Sequence, residues 1–483
     1  MRVGPLRNAA AFSRPSRQQG GTPVSSTPRV IDVQDFINAH KVSAFQVTLI
    51  GLCFLIVAID GFDTAAIGFI APALRAEWQL APAQLAPLFG AGLFGLMIGA
   101  FIFGPLADKI GRKRALILTV LFFGLTSLAS AWATNITELT VLRFLTGMGL
   151  GGAMPNAITL TSEFCPDKRR SFLTTLMFCG FTLGSALGGL AAAQLVAGYG
   201  WSSVLLLGGI VPLLLVPVLL LTLPESVRFL VLQNAPAERM AAILKRIAPE
   251  AELAGARFIG VHRPAGSPVG QLFQPGLVAG TLLLWLTFFM SLLVFYLLSS
   301  WLPTVISSAG MTLKDASLMT MMLQFGGTVG ALVIGASMDR VDPHKVLGIA
   351  YATAALFIAL IGSATTSPAL LATAVFGAGF CLAGAQVGVN ALAAGFYPTA
   401  NRATGVAWAN AVGRSGSVLG SMVGGTVLSS GLGLPTAFAI VGIPVILAGL
   451  FMVVKGRLAP QPAHQTAASP SFAGPLPAAS SID

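Results

Sequence analysis

Residues 104–116 read G-P-L-A-D-K-I-G-R-K-R-A-L, and residues 335–347 read G-A-S-M-D-R-V-D-P-H-K-V-L. In each, a Gly is followed four positions later by Asp (Asp108, Asp339) and then a base (Lys109, Arg340), with another base further on and a closing Leu. The two stretches lie 231 residues apart. A second correspondence falls at an offset of 232, where Phe164, Pro166 and Arg170 match Phe396, Pro398 and Arg402. Just beyond it, Gly180, Gly184 and Gly188 stand against Val412, Gly416 and Gly420. Two independent signals at nearly one offset describe an internal duplication.

What surrounds these loops decides the kind of unit that is duplicated. The chain has 483 residues, of which 55% are hydrophobic and 9% charged, with a mean hydropathy of +0.82. Soluble domains carry roughly 25% charge. The charge-poor stretches are long enough to cross a bilayer, which takes about 20 apolar residues each. They fall at 44–70, 84–107, 115–134, 137–162, 171–197 and 201–222, and again at 275–299, 314–337, 344–364, 368–393, 403–429 and 433–454. They are expected to be helices, because a barrel would show short alternating strands. The repeat offset skips six spans. The expected fold is therefore an all-α membrane protein with twelve transmembrane helices in two parallel, pseudo-symmetric six-helix bundles, at 44–222 and 275–454. Segments 1–43 and 455–483 are expected to be disordered tails. The linker 223–274 is expected to hold a short amphipathic helix near 235–248, with Met240, Ile243, Leu244 and Ile247 on one face.

The bases orient the chain. With the N-terminus inside, cytoplasmic segments hold 24 of the 28 Lys and Arg, the outer loops hold only Arg75 and Lys314, and Arg143 and Arg414 fall within spans. This bias predicts a multi-pass protein of the cell inner membrane with both termini cytoplasmic. The net charge of +11 thus reports topology, and a nucleic-acid partner is not expected, since no single basic face exists. Residues 1–31 are basic and acid-free, a composition shared with organelle transit peptides, but a solvated tail is the simpler reading. The four Cys lack metal-ligand or disulfide-framework spacing, the four His lie outside the spans, and Gly147, Gly149, Gly151 and Gly152 follow no strand. No metal, cofactor or enzymatic constellation is indicated, and the glycines fit close helix packing.

The segment Gly104–Arg114 resembles the loop signature of the major facilitator superfamily, and L-P-E-S-V-R-F-L at 223–230 resembles its signature after the sixth span, with Val227 where the family often has Pro. More narrowly, D-G-F-D-T-A-A-I-G-F-I-A-P-A-L at 60–74 resembles the aromatic acid/proton symporter family. So do R-F-L-T-G-M-G-L-G-G-A-M-P-N at 143–156 and G-F-Y-P-T-A-N-R-A-T-G-V-A-W-A-N-A-V-G-R at 395–414. Members of that family import hydroxybenzoates, protocatechuate and related carboxylates. The resemblance implicates Asp60, Asp63, Asp108, Arg143, Glu163, Arg402 and Arg414. It also implies that the chain imports an aromatic carboxylate with a proton by alternating access, and works as a monomer.

The residues point the same way without the family. A charge at the bilayer centre costs at least ~2.5–3.5 kcal/mol and normally has a use. Asp60 and Asp63 are three apart and share a helix face. At ~1.5 Å of rise per residue, Asp63 and Arg143 both lie ~9–11 Å from the outer ends of their helices, so an ion pair between spans 1 and 4 is expected. Arg414 has no intramembrane acid in its own half, so a visiting anion or an acid of the first half is expected to meet it. A planar carboxylate suits its fork. Either Asp60 or Asp63 is expected to take up and release the coupling proton. Phe288, Phe289 and Tyr296 of span 7 and Trp408 of span 11 are the candidate ring contacts. Asp108, Arg112, Glu163, Arg170, Asp339, Arg340 and Arg402 cluster at the cytoplasmic ends and are expected to latch the outward-open state.

Competing readings are a facilitator for another solute, such as a different organic anion, a sugar or a drug, and a sensor of aromatic acids. The sequence V-V-K-G-R-L-A-P after the last span lacks the ending expected of sugar carriers, and no long soluble signalling domain is present.

Overall fold

A computed structural model describes residues 30–259, 269–364, 367–398 and 401–458. Twelve long helices account for most of it. The first six are α2 (Ala44–Glu77), α3 (Pro82–Ile110), α4 (Arg112–Ser130), α5 (Ile136–Phe164), α6 (Asp167–Tyr199) and α7 (Ser202–Thr222). The second six are α10 (Val278–Ser308), α11 (Leu313–Met338), α12 (Pro343–Ser363), α13 (Pro368–Phe396), α14 (Arg402–Ser429) and α15 (Leu434–Leu458). Ten of them are long and apolar enough to cross a membrane. The two outside that set, α5 and α14, are the helices that carry Arg143 and Arg414. Because successive long helices run antiparallel, Ala44 and Leu458 lie at one end of the bundles, called the terminal end below, and the opposite end is called the far end.

Each six-helix bundle repeats the packing of the other. Helix α2 packs on α6 as α10 packs on α14; α3 packs on α5 as α11 on α13; α4 packs on α7 as α12 on α15. The matched glycines explain the closest of these contacts. An ideal Cβ on Gly184 would fall 1.8 Å from the Ala58 carbonyl oxygen, and one on its counterpart Gly416 would fall 2.3 Å from that of Phe289. At such distances one backbone lies directly on another, which only a residue without Cβ permits. Gly147 and Gly151 do the same between α5 and α3, at 2.0 Å from Gly92 O and 2.1 Å from Leu96 O.

The bundles join through α2 with α10, α3 with α14 and α6 with α11. Among the described residues, the side-chain contacts across this seam run from the far end to mid-depth. Arg75 Nη1 donates to Ser308 Oγ at 3.1 Å, Phe89 meets Trp301 edge-on at 4.9 Å, and Thr328 and Thr182 hydroxyls bond at 2.7 Å. None of the described ion pairs crosses the seam at the terminal end.

Two expectations are corrected here. The segment before residue 44 is ordered from Val30, as strand β1 (Val30–Asp32) and helix α1 (Val33–Ala39). Asp32 caps α1 by accepting from Gln34 N and Asp35 N, and β1 pairs in parallel with β2 (Arg257–Ile259) of the linker. The reason is apolar burial: Val33 and Ile37 are each 1% exposed in one core with Leu49, Leu230, Leu244 and Phe258. Burial of such side chains contributes about 1.5–3 kcal/mol apiece. At the other end, α15 continues to Leu458, and Lys455 is buried rather than part of a tail. Its Nζ lies 4.2 Å above the Phe396 ring and 3.3 Å from His344 Nε2, which offsets the loss of water. The remaining tail residues, 1–29 and 459–483, lie outside the described residues.

The linker carries α8 (Val227–Leu232), α9 (Ala237–Lys245) and a 3₁₀ turn at Val269–Phe273. Met240 and Leu244 of α9 and Ile247 just beyond it are buried, while Ile243 is half-buried.

Candidate functional site

Asp63 and Arg143 meet in the first bundle. Arg143 Nη1 donates to Asp63 Oδ1 at 3.2 Å, Nη2 pairs with Oδ2, and Nη2 also reaches the Asp63 carbonyl oxygen at 3.2 Å. Ser127 of α4 donates to Oδ1 at 2.6 Å. Helix α7 closes the node at Gly208, where an ideal Cβ would sit 3.2 Å from both Asp63 Oδ1 and Ser127 Oγ. Asp63 is 0% and Arg143 3% exposed. Four helices thus converge on one ion pair whose carboxylate oxygens are all engaged. Such a pair is costly to break from one side, at about 3–5 kcal/mol.

Asp60, one turn away on α2, has a different environment. It is fully buried, its Oδ1 accepts from Thr64 Oγ1 at 3.2 Å, and its Oδ2 has no partner. The cation that acts on it electrostatically is Arg414 of the second bundle. Arg414 is half-buried and lightly held: Nη1 donates to Tyr296 Oη at 3.4 Å and Nη2 approaches Met154 Sδ at 3.9 Å. Asp60, Tyr296 and Arg414 therefore form one electrostatic cluster across the seam. The two aspartates share a helix but not an environment: the Asp63 carboxylate is fully bonded, and Asp60 is under-bonded within the electrostatic reach of Arg414.

Between the bundles lies a narrow cavity of about 30 Å³, which Arg143 and Tyr296 border and which Asp60 and Arg414 do not. Thr64 and Gly68 of α2, Leu93 of α3, Arg143 of α5, Phe181 of α6, Phe295 and Tyr296 of α10, and Gln324 of α11 border it, so both bundles build it. Of the four candidate ring contacts, only Tyr296 borders this cavity. Phe288 is 0% exposed and packs against Gly413; Phe289 is half-buried with its backbone against Gly416. Trp408 does not border this cavity; it is 42% exposed and stacks on Trp285 at 5.9 Å. Large aromatic side chains serve lipid-facing and packing roles as readily as recognition, and nothing in their spacing separates these uses.

At the terminal end, Asp108 pairs with Arg112, and Arg112 Nη1 also donates to Asn156 Oδ1 at 3.3 Å. Arg170 pairs with Asp167 at 2.5 Å and donates from Nε to Ser162 O at 3.1 Å. Among the described ion pairs Glu163 has none with these arginines; it accepts from Ser226 Oγ of the linker at 2.5 Å. Asp339, Arg340 and Arg402 are exposed at the ends of α11 and α14. Sequence reasoning missed Glu225, which accepts from Lys113 N at 3.1 Å and Ser226 N at 3.0 Å, and so caps the start of α4. Its place in the L-P-E-S stretch is the signal that marks it. It also missed the amides in the second bundle: Gln324, and Asn410, which donates to Asn390 Oδ1 at 3.3 Å.

Comparison with known proteins agrees with this architecture. A family description of the Major Facilitator Superfamily matches residues 53–330 and 284–481. A gallate transporter of Pseudomonas putida is 48% identical over 430 residues, covering 88% of this chain and 95% of that protein. The 4-hydroxybenzoate transporter PcaK of Pseudomonas aeruginosa is also 48% identical, over 88% and 96%. The 3-(3-hydroxy-phenyl)propionate transporter of Escherichia coli is 37% identical, over 86% and 95%. Among solved structures, the inward-open xylose transporter XylE from E. coli superimposes with a TM-score of 0.70 at 19% identity, over 87% of this chain and 98% of that one, which speaks to the fold alone. On the paired bundles, the repeated loops and these likenesses, the chain is a multi-pass transporter of the major facilitator superfamily, not an enzyme.

Proposed function

We propose that the protein imports aromatic carboxylates of the hydroxybenzoate and protocatechuate class together with protons, as a monomer in the cell inner membrane with both termini in the cytoplasm. The observation that carries this is the Asp60–Arg414 cluster: a buried, under-bonded acid faces a half-buried guanidinium across the seam of the two bundles. Asp60 is the coupling acid and Arg414 the carboxylate ligand. With Asp60 ionised, the guanidinium has an internal counter-charge. A proton on Asp60 removes that counter-charge and leaves Arg414 to a visiting monoanion. Proton and anion are then bound together by electrostatics, and neither alone gives a neutral site. Relatives at 48% identity that are named for gallate and 4-hydroxybenzoate support the substrate class.

The far-end contacts of Arg75 with Ser308 and Phe89 with Trp301 support reading this conformation as the one open to the cytoplasm. On the same reading, Asp108, Arg112, Glu163, Arg170, Asp339, Arg340 and Arg402 act where the terminal ends of the bundles close in the opposite state.

The test is uptake of labelled 4-hydroxybenzoate into proteoliposomes with an imposed inward proton gradient. Accumulation above equilibrium that collapses with a protonophore is expected. Equilibration without any response to the gradient would remove proton coupling.

A further inference from the structure

Gln324 is an amide on the apolar helix α11, 1% exposed and bordering the central cavity. Its Nε2 donates to Ser299 Oγ at 3.1 Å. That bond turns Oε1 away from Ser299, and Oε1 is buried with no partner. Ser299 is itself held in place: Gly68 of α2 lies so close that an ideal Cβ would come within 2.7 Å of the Ser299 carbonyl oxygen. The amide is thus oriented by a fixed neighbour, with its acceptor free. A buried acceptor left unpaired is a cost to the fold, and where it borders a binding cavity a ligand donor removes that cost.

The surroundings define the donor. Phe181, Phe295 and Leu93 make apolar walls against which a ring can pack, and Thr64, Ser185 and Ser300 add hydroxyls that can donate as well as accept, so Gln324 Oε1 is distinguished by being a pure acceptor left unpaired. Tyr296 borders the same cavity and bonds Arg414. Gln324 lies eleven residues from the far end of α11, and Arg414 fifteen from the far end of α14. At about 1.5 Å of rise per residue, the two differ in depth by about 6 Å. The two residues thus stand at neighbouring depths in the second bundle.

We propose that Gln324 determines substrate specificity by accepting the ring hydroxyl of the bound carboxylate at Oε1. This deepens the reading of the protein as an aromatic-carboxylate transporter and rests on it. A ring C–H or a methoxy group offers no donor, so unsubstituted and O-methylated benzoates leave Oε1 unpaired. Sites built around a substrate hydroxyl reject analogues lacking it far more strongly than apolar pockets reject a change of size.

The experiment is equilibrium binding of 4-hydroxybenzoate, benzoate and 4-methoxybenzoate to the purified full chain, as wild type and as Gln324→Met. Wild type is expected to prefer 4-hydroxybenzoate over both analogues by tenfold or more. Gln324→Met, which keeps the bulk but no amide, is expected to bind 4-hydroxybenzoate at least tenfold more weakly and benzoate about as before. Equal binding of all three by wild type, or an unchanged preference in Gln324→Met, overturns the role of Gln324 while the transport reading stands. Should Gln324→Met not fold, Gln324→Leu takes its place, with the same expected and overturning results. No binding of any aromatic carboxylate by wild type overturns both.

Discussion

Arg143 holds both carboxylate oxygens of Asp63 from the facing helix, and Ser127 donates to the same carboxylate at 2.6 Å. Neither charge has water to fall back on. Asp63→Asn or Arg143→Gln alone leaves its partner uncompensated, and each is expected to destabilise the folded protein by about 3–5 kcal/mol. The double variant removes both charges and is expected to recover part of that loss. Thermal unfolding of the three variants in detergent checks this as a double-mutant cycle. Additive losses would show that the pair is not coupled.

Asp60 is expected to behave otherwise. Its Oδ2 has no partner and its one bond comes from Thr64, so Asp60→Asn leaves no buried cation stripped of several bonds. The variant is expected to reach the membrane in normal amount and to exchange labelled for unlabelled substrate. It is expected to lose accumulation against a gradient altogether. Normal gradient-driven uptake by Asp60→Asn would assign the coupling proton elsewhere.

Asp108 pairs with Arg112 at the terminal end, and neither residue borders the central cavity. Asp108→Asn is therefore expected to slow turnover, on the order of tenfold, while leaving equilibrium affinity within about twofold. Steady-state uptake and equilibrium binding on the same preparation separate the two. A large loss of affinity at unchanged maximal rate would place the loop in the binding site instead.

The twelve helices were legible because each span needs a long charge-free run, and such runs have no soluble alternative in this composition. The equivalence of the two bundles was legible through Gly184 and Gly416, and the structure shows that these equivalent positions make equivalent backbone contacts. The Asp63–Arg143 pair followed from depth alone, since antiparallel helices with charges at one level invite it. The difference in bonding between Asp60 and Asp63 did not, because a shared helix face says nothing about which neighbour each side chain meets. Nor did the ordering of residues 30–43, whose few apolar side chains find their core only when the linker, some 200 positions away, folds over them. Gln324 was missed for a similar reason: a single amide in an apolar helix has no periodic signature, and its free oxygen is visible only once Ser299 is in place.

The duplicated glycines carry a prediction of their own. An ideal Cβ on Gly420 would fall 1.9 Å from the Leu293 carbonyl oxygen, and on Gly184 1.8 Å from that of Ala58. Those obstacles are backbone atoms and cannot rotate away. Gly184→Ala and Gly420→Ala are both expected to lower the thermal stability of the protein by several degrees or to prevent its accumulation. Gly104→Ala, where an added Cβ meets nothing within 4 Å, is the control for folding. Wild-type stability in either crowded variant would mean that the helices separate at these crossings without penalty.

Arg414 carries the last prediction, which concerns the sign of the substrate. Among the described residues its guanidinium is held by Tyr296 Oη at 3.4 Å and a distant Met154 Sδ, so most of its donors are open to a ligand. If the ligand is a carboxylate, Arg414→Lys keeps the charge but loses the fork, and binding is expected to weaken on the order of tenfold. Arg414→Gln is expected to lose most carboxylate uptake, and the amide of the same ring is expected to bind wild type poorly. Were Arg414 instead only the counter-charge of Asp60, Arg414→Gln would be rescued in part by Asp60→Asn, and acid and amide would differ little. Binding of 4-hydroxybenzoate and 4-hydroxybenzamide to wild type, Arg414→Lys, Arg414→Gln and the Asp60→Asn/Arg414→Gln double variant separates the two. Equal affinity of wild type for acid and amide removes the carboxylate from Arg414, and with it the electrostatic coupling between the anion and the proton on Asp60.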